Sequence, residues 1–350
     1  MHIEKFEFVD YGKELFPEEG TIIVDVGKKL EEGILDHHQP DAENECAASL
    51  VVKHPELILG HLKGKKKFKL ITHRYPDFDA VSAAFLVEKL IERGKITNSM
   101  KKIAEYAKVV DSSDLPPSIP LEDTPYAVLY SLFHKINYSR GSSDNLNKVD
   151  YIGYKRIRIA FELLTKLENI VEEGENIFTA MRSLSGYVDY ERARRDIFED
   201  YKNYLSDVRR ASIGEIELLT KDGDSLRRVD YFLIINPSSY LLKDWIKRDY
   251  KNSPSKKGFS LLISSLYPGN FIIATSPSSG TYLKGLGEVL NKAEKGKREK
   301  RGLQFSEWYK GDSPFFNYRI VASPSDGTVL TKEEVISSLK EYLESIKRLG

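Results

Sequence analysis

The sequence predicts an α/β protein: a mostly parallel, doubly wound sheet, followed by a helical linker and a C-terminal α+β domain. Three observations predict this fold class. Short β-branched runs alternate with helical patterns over the first 115 residues, helical periodicity fills residues 151–210, and β-type runs return at Ile213. The chain of 350 residues is long enough for two domains of ordinary size. We expect a metal-binding catalytic domain at residues 1–125, a helical linker at 126–208 and a substrate-binding domain at 209–350.

Short apolar runs and helical spacings assign the elements of the first domain. The expected strands cover residues 21–24, 34–35 and 68–72. These runs are apolar and β-branched, which is typical of strands buried on both faces of a parallel sheet. A helical stretch that begins near Cys46 is expected to be closed by Pro55, and apolar residues within 80–91 recur on one helix face.

The remaining chain is first helical and then β-rich. Apolar residues at three- and four-residue steps from Ile157 to Val171 predict a helix, and a charged helical segment covers residues 190–208. The further expected elements are strands at residues 213–219, 229–236, 259–264, 271–275 and 318–322 and a last helix at residues 332–349. The basic run at residues 292–302 is expected to be a solvated loop.

Composition excludes several classes of protein. The 53 Lys and Arg residues balance 53 Asp and Glu residues, so overall positive charge cannot drive nucleic-acid binding. No apolar run approaches the roughly 18 residues that a membrane span needs, and the N-terminus lacks a signal-peptide pattern. A single cysteine, Cys46, leaves no internal disulfide and favours a cytoplasmic location. Any metal must therefore be held by His, Asp and Glu.

Acidic and imidazole side chains follow the predicted strands, and Asp111 follows the segment at residues 101–110, after the helix at 80–91. The set consists of Asp25, Asp36, His37, His38, His73, Asp77, Asp79 and Asp111. Because the carboxyl ends of parallel strands share one edge of a sheet, we expect a cluster there, although Asp25 and Asp111 are 86 positions apart. In an extended segment, Asp77 and Asp79 would point the same way. The helix that begins near Ala80 would aim its N-terminal amides at the same edge, which favours phosphate.

So many carboxylates cannot be desolvated together without cations. Mixed carboxylate and imidazole ligands suit Mn²⁺, with Mg²⁺ or Co²⁺ as possible substitutes, and a bridging carboxylate lets two ions lie about 3.5–4 Å apart. Two such ions can lower the pKa of a water and neutralise charge on a phosphoryl group. Since His37 and His38 are adjacent, they should diverge, one toward metal and the other toward substrate.

The motifs resemble those of the DHH-family phosphoesterases. Residues 73–84, HRYPDFDAVSAA, are similar to the first motif of that family, HxxPDxDAxGSA, with Ser82 at the usual glycine. Asp36-His37-His38 is the motif that names the family, residues 21–27 (TIIVDVG) resemble its second motif, and residues 109–114 (VVDSSD) its fourth. The order here is second, third, first, fourth, as a circular rearrangement would give.

The resemblance implies a site for two Mn²⁺ or related ions. His73, Asp77 and Asp25 would hold one ion, and Asp79, Asp25, His37 and Asp111 would hold the other. His38 would contact the scissile phosphate. Asp114 remains a rival to Asp111 for the fourth-motif ligand.

The resemblance also implies a second domain that grips substrate. The nearest candidate is the turn at residues 276–281, SPSSGT, in which Ser278 and Gly280 would cradle phosphate, with Lys284 in the following helix and Arg319 as cations. Aromatic groups near Trp308 could stack on a base. An ordinary strand-to-helix turn and core aromatic residues remain at least equally good interpretations.

These observations favour a Mn²⁺-dependent phosphoesterase that hydrolyses a phosphodiester or phosphomonoester, such as a short single-stranded oligonucleotide or a nucleotide. The alternative is hydrolysis of a phosphoanhydride, pyrophosphate or polyphosphate. Two other hypotheses are a nucleotide-sensing protein without turnover and a zinc hydrolase of the His/Asp type. The expected partner is a small phosphate-containing molecule and no membrane, while the oligomeric state stays open.

Overall fold

A computed structural model describes residues 1–138, 146–221, 223, 225–267 and 269–347. The chain forms two compact units, Met1–Phe198 with Ser313–Phe315 and Glu199–Asp312 with Phe316–Gly350, called unit 1 and unit 2 below. Both combine helices with strands, so the α/β class is confirmed. The division at 125 and 208 into three functional parts stays a prediction.

The sheet of unit 1 is mostly parallel. Its strands are β1 (His2–Val9), β2 (Thr21–Val24), β3 (Leu30–Glu31), β4 (Ile34–Leu35) and β5 (Lys67–His73). The order is β1-β5-β2-β4-β3, and β3 alone among them runs antiparallel to its neighbour. Strand β2 is buried at every position, as its apolar run predicts. Strand β1 was not expected, because it alternates charged and apolar residues at the edge of the sheet.

Unit 1 also contains helices. They are α1 (Ala47–Lys53), α2 (Pro55–Leu59), α3 (Phe78–Arg93), α4 (Asn98–Asp111), α5 (Pro125–Tyr138), α6 (Leu146–Glu172) and α7 (Val188–Arg210), the last with residues in both units, with short 3₁₀ turns at Leu121–Asp123 and Ile177–Arg182. Helix α1 ends at Lys53, just before Pro55, as expected, and Pro55 starts α2, where its fixed φ suits a first helical residue. None of the described helices combines the length and the apolar character that a membrane crossing requires.

Unit 2 has its own mixed sheet. Its elements are β6 (Ser212–Thr220), β7 (Leu226–Ile235), α8 (Leu242–Arg248), β8 (Leu261–Tyr267), β9 (Asn270–Thr275), a 3₁₀ turn (Pro277–Ser279), β10 (Thr281–Tyr282), α9 (Leu286–Lys300), β11 (Ile320–Ala322) and α10 (Lys332–Lys347). The strand order is β10-β6-β7-β8-β9-β11, with β7 parallel to β8. The expected last helix matches α10, although its positions 348 and 349 lie outside the described residues.

The basic run at residues 292–302 is mostly helix, not the solvated loop that its composition predicts. Helix α9 extends to Lys300, since Leu286 and Leu290 bury one face in the core of unit 2. Arg298, in the middle of the run, is buried and pairs with Glu294 at 2.7 Å. The composition of the run does not indicate that this arginine faces the core.

Glu294 is fully buried and organises this core. Its carboxylate accepts hydrogen bonds from Arg298, from the Thr328 hydroxyl, from the indole of Trp308 at 3.1 Å and from the amide of Val329 at 3.0 Å. Burial opposes ionisation, but these donors outweigh it and hold the pKa of Glu294 below its ordinary value. The charged carboxylate therefore stabilises unit 2.

We expect Glu294→Gln to lower the free energy of unfolding of unit 2 by about 1–3 kcal/mol at neutral pH. Because the folded-state pKa lies below the unfolded-state value, this stabilisation is present above the unfolded-state pKa and is lost as pH falls through the folded-state pKa. Acidification should thus destabilise the wild type more steeply than the variant. Both tryptophans, Trp245 and Trp308, belong to unit 2, so urea unfolding followed by indole fluorescence measures this unit. Equal midpoints at neutral pH would contradict the assignment.

Candidate metal centre

Three strand ends of unit 1 meet at one edge of its sheet. Asp25 follows β2, residues 36–38 follow β4, and His73 is the last residue of β5. These strands are parallel neighbours, with β2 between β4 and β5. Their carboxyl ends therefore bring acidic and imidazole groups together, as the sequence predicts.

Asp25 lies at the centre of the cluster. Its Oδ1 lies 3.2 Å from Nε2 of His37 and its Oδ2 lies 3.2 Å from Nε2 of His73, and the residue is 2% exposed. Its backbone has a left-handed φ of 59°, a conformation that costs most residues roughly 1–2 kcal/mol but that Asp and Asn tolerate. A hydrogen bond of 3.0 Å from its amide to the carbonyl of Leu35 fixes this strand end.

The predicted ligands form two groups. The first group is Asp25, His73 and Asp77, and the second group is His37, Asp79 and Asp111. Within each group, one potential ligand atom per residue lies within 4.8 Å of the others. Nε2 of His37 lies 3.7 Å from Asp79 and 3.6 Å from Asp111, in addition to its contact with Asp25. Asp25 thus belongs to the first group and contacts His37 of the second.

The spacing of Asp77 and Asp79 predicts an extended segment in which both side chains point the same way. This prediction is wrong. Asp77 is the N-cap of α3, and its carboxylate accepts from the amides of Asp79 and Ala80 at 3.1 Å each. Asp79 lies inside the helix and accepts from the amides of Ala47 and Ala48 at the start of α1. The helix therefore directs the two carboxylates to different groups.

The N-cap also occupies amides at the start of α3 that were expected to face phosphate. The amides that would have faced phosphate donate to Asp77 instead. A capping carboxylate satisfies the exposed donors of a first turn. The chemistry of this edge therefore rests on side chains and not on the amides of α3.

Asp111, and not its rival Asp114, joins the second group. Asp111 is the last residue of helix α4, and its Oδ2 lies 3.6 Å from His37. Asp114 is exposed and belongs to neither group. A helix end, not a strand end, therefore brings the fourth motif to the site.

The adjacent imidazoles do not diverge as expected, since their ring centres lie 4.2 Å apart, but they make different contacts. His37 turns into the second group, whereas Nδ1 of His38 lies 2.6 Å from Oδ1 of Asp36 and its Nε2 lies 2.5 Å from the Tyr11 hydroxyl. Burial favours the neutral ring, but Asp36 outweighs it and raises the pKa of His38. His38 is thus held beside the two groups by hydrogen bonds of its own.

Asp36 orients this histidine. The site also contains a third set of potential ligands, Asp25, Asp36, His37 and His38. However, Oδ1 of Asp36 also accepts from the amide of His37 at 2.8 Å, and its Oδ2 accepts from the amide of Lys28 at 2.6 Å. Because the same Oδ1 meets Nδ1 of His38, Asp36 positions the His38 ring.

Burial and neighbouring charges set the protonation of the clustered groups. Burial opposes ionisation of Asp25, but hydrogen bonds from His37 and His73 outweigh it and hold the pKa of Asp25 below its ordinary value. Burial and the charge of Asp25 raise the pKa of Asp79 to about 6. Burial favours neutral His73, but the hydrogen bond and charge of Asp25 raise its pKa to about 9. Asp25 keeps its charge because imidazoles face both oxygens, a role that a divalent cation can also fill.

The donor set fits divalent cations. It consists of carboxylate oxygens and imidazole nitrogens, the ligand types that suit Mn²⁺ and similar ions. Burial raises the pKa of the nearby Cys46 thiol, which argues against a thiolate ligand. Buried carboxylates in this number also need compensating positive charge.

No protein-family model and no curated protein matches the chain. The geometry of the site and the motifs of the sequence therefore carry its interpretation.

The candidate phosphate-binding residues of unit 2 lie around one turn. Ser278 is exposed in the 3₁₀ turn, where its hydroxyl lies 2.9 Å from that of Ser276, and Gly280 ends the turn with a left-handed φ of 62°. Lys284 is exposed and precedes α9, not within it as expected, with its Nζ 5.6 Å from the ring centre of Tyr318. Nε of Arg319 donates to the carbonyl of Phe316 at 3.1 Å. Their binding role stays a prediction.

The expected aromatic platform near residue 308 is wrong for Trp308. Its side chain is fully buried in the core of unit 2 and its indole donates to Glu294. It therefore cannot stack on a base. Tyr309 is half-buried, and its amide and carbonyl pair with Ala322 of β11.

Sequence reasoning missed two residues that hold His38. Asp36 carried a signal, since it opens the motif that contains both histidines, but its spacing does not distinguish a ligand from a positioning residue. Tyr11 carried none, because it is 27 positions from His38 and follows a strand, β1, whose pairing was not predicted.

Proposed function

We propose that this protein is a metal-dependent phosphoesterase that uses two divalent cations, of which Mn²⁺ fits the donor set. The observation that carries the proposal is the position of Asp25. Its two oxygens face imidazoles of different ligand groups, as a carboxylate shared between two ions must. Two divalent cations, when bound, lower the pKa of a water and neutralise charge on a phosphoryl group.

The residues of the chain have distinct roles in this proposal. His73 and Asp77 would hold one ion, while His37, Asp79 and Asp111 would hold the other, with Asp25 common to both. Asp36 fixes the ring of His38 through Nδ1, so Nε2 is the atom that would contact the scissile phosphate. Tyr11 keeps that nitrogen in place in the absence of substrate.

The resemblance to DHH-family phosphoesterases supports the same function. The four motifs occur in permuted order along the chain, yet their ligand residues lie in two compact groups. Strand β5, which carries the motif displaced in the chain, lies between β1 and β2, so a moved βα unit can still contribute to the shared edge. Membership of that family, with its sheet arrangement and a cytoplasmic location, is part of the proposal.

The favoured substrate is a phosphodiester such as a short oligonucleotide, with pyrophosphate or polyphosphate as the alternative. Purified protein with Mn²⁺ should hydrolyse a dinucleotide faster than pyrophosphate. The reverse preference would favour the alternative. Hydrolysis of no ester or anhydride tested would overturn the proposal in favour of a nucleotide-sensing role, and bound zinc in place of manganese would favour a zinc hydrolase.

Asp111 and Asp114 offer a matched pair of variants. We expect Asp111→Asn to lower turnover at least about 100-fold and to weaken metal binding, since the second group loses a charged ligand. Asp114→Asn, exposed and outside both groups, should behave as the wild type. Steady-state assays over a range of Mn²⁺ concentrations measure both effects. Equal losses in the two variants would contradict the ligand assignment.

A further inference from the structure

The turn after β5 has an unusual conformation. Tyr75, between His73 and Asp77, has a left-handed φ of 61°, and its side chain is 45% exposed. Such a conformation in a bulky residue is uncommon and is found preferentially at functional sites. The aromatic ring therefore stands at the surface next to the first ligand group.

Arg156 of helix α6 lies against this turn. Its Nη1 donates to the carbonyl of Pro76 at 3.2 Å, and its guanidinium carbon lies 5.4 Å from the ring centre of Tyr75. On another side the same carbon lies 4.9 Å from the ring centre of the buried Phe133. The guanidinium is thus half-buried and held by two rings and one carbonyl.

The charge of Arg156 has no ion pair within the described chain. Across residues 1–138, 146–221, 223, 225–267 and 269–347, no carboxylate oxygen lies within 4.0 Å of its nitrogens, and its buried Nε makes no hydrogen bond there. Burial of the guanidinium lowers the pKa of Arg156, and the nearby charge of Asp77 offsets this only in part. Arginine in this state suits a phosphate oxygen, which its planar fork recognises.

We propose that Tyr75 and Arg156 form a nucleotide-binding site beside the first ligand group, in which Arg156 pairs with a phosphate oxygen and Tyr75 stacks on a nucleobase. This inference rests on the proposed function and narrows it to nucleotide-containing phosphoesters. One face of the Tyr75 ring meets Arg156 and the residue is 45% exposed, so the other face of the ring is where a base would lie. Pyrophosphate has no base and gains nothing from the ring.

A dinucleotide and its abasic analogue, which has the same phosphate backbone, test the role of Tyr75. The ratio of kcat/KM for the dinucleotide to kcat/KM for the analogue should fall about tenfold in Tyr75→Ala, because stacking on a base is lost. Tyr75→Phe keeps the ring and should restore the ratio. Tyr250→Ala, an exposed tyrosine of unit 2, is the matched control. An unchanged ratio in Tyr75→Ala would overturn the stacking role.

Arg156→Met should lower kcat/KM about tenfold on both substrates, because both contain the phosphate. Its control is Arg158→Met, which removes an exposed arginine two positions along α6. Manganese content separates phosphate binding from support of the turn. If manganese content fell together with activity, Arg156 would only support the turn through the carbonyl of Pro76, and its phosphate role would be overturned.

Binding of AMP, measured by calorimetry, keeps the two proposals distinguishable. Wild-type protein should bind AMP, and Tyr75→Ala should bind it about tenfold more weakly. If the wild type binds AMP in this way but hydrolyses no phosphoester, the proposed function fails and the nucleotide site stands. If it hydrolyses phosphoesters but Tyr75→Ala binds AMP as well as the wild type, the nucleotide site fails alone.

Discussion

Replacing Asp25 with Asn is expected to abolish phosphoester hydrolysis, with a loss of at least about 1,000-fold, and to remove one or both metal ions. The carboxylate places one oxygen toward His37 and the other toward His73. An amide offers one oxygen and one NH₂ group, so it cannot bridge two cations. Metal analysis after dialysis and a turnover assay measure the two effects.

The fold should survive this change. Asn tolerates the left-handed backbone that Asp25 adopts, and the amide hydrogen bond to Leu35 belongs to the main chain. Circular dichroism should therefore match the wild type. Normal turnover or a full metal complement in Asp25→Asn would contradict the bridging role.

Replacing His38 with Ala should give the second large effect, a fall in turnover of about 100-fold to 10,000-fold with the metal content retained. Nδ1 of His38 is engaged by Asp36 and its Nε2 meets Tyr11, so neither nitrogen is needed to hold an ion. His37, its neighbour, faces the second ligand group instead.

His37→Ala is the matched comparison, because it removes the adjacent imidazole from the same loop. It should lose both metal and activity. Manganese titrations of the two variants, followed by turnover at saturating Mn²⁺, separate the roles. If His38→Ala lost metal as His37→Ala does, His38 would be a ligand and its proposed contact with phosphate would be wrong.

The strand ends of unit 1 were predictable because parallel strands follow a simple rule. Buried β-branched runs predict β2 and β4; Asp25 follows the first directly, and His37 follows the second after Asp36. Any parallel pairing of these runs brings the two side chains to one edge, even where strand order is unknown. The convergence of the motifs therefore followed from local sequence.

The local conformation at the site was harder to predict from the sequence. The sequence predicts neither that Asp77 caps α3 nor that Asp79 points to the start of α1, because both depend on where the helix begins. Spacing alone predicts an extended segment for the displaced motif. Capping, which uses the first amides of the helix, determines where each carboxylate goes.

Contacts between residues distant in the chain could not be predicted from the sequence. Arg156 meets the turn at Pro76 from a helix 80 positions away, and nothing in its local sequence indicates this contact. Trp308 appeared available for stacking, but a hydrogen bond to the buried Glu294 holds it in the core. Such pairings depend on tertiary packing, which a single sequence does not specify.

The central claim is that Asp25 is shared by two metal ions, and a crystal structure of the Mn²⁺-loaded protein tests it most directly. Anomalous scattering should show two manganese peaks about 3.5–4 Å apart in unit 1, one beside His73 and Asp77 and the other beside His37, Asp79 and Asp111, with an Asp25 oxygen on each. A single peak, or two peaks that leave Asp25 without a metal contact, would contradict it.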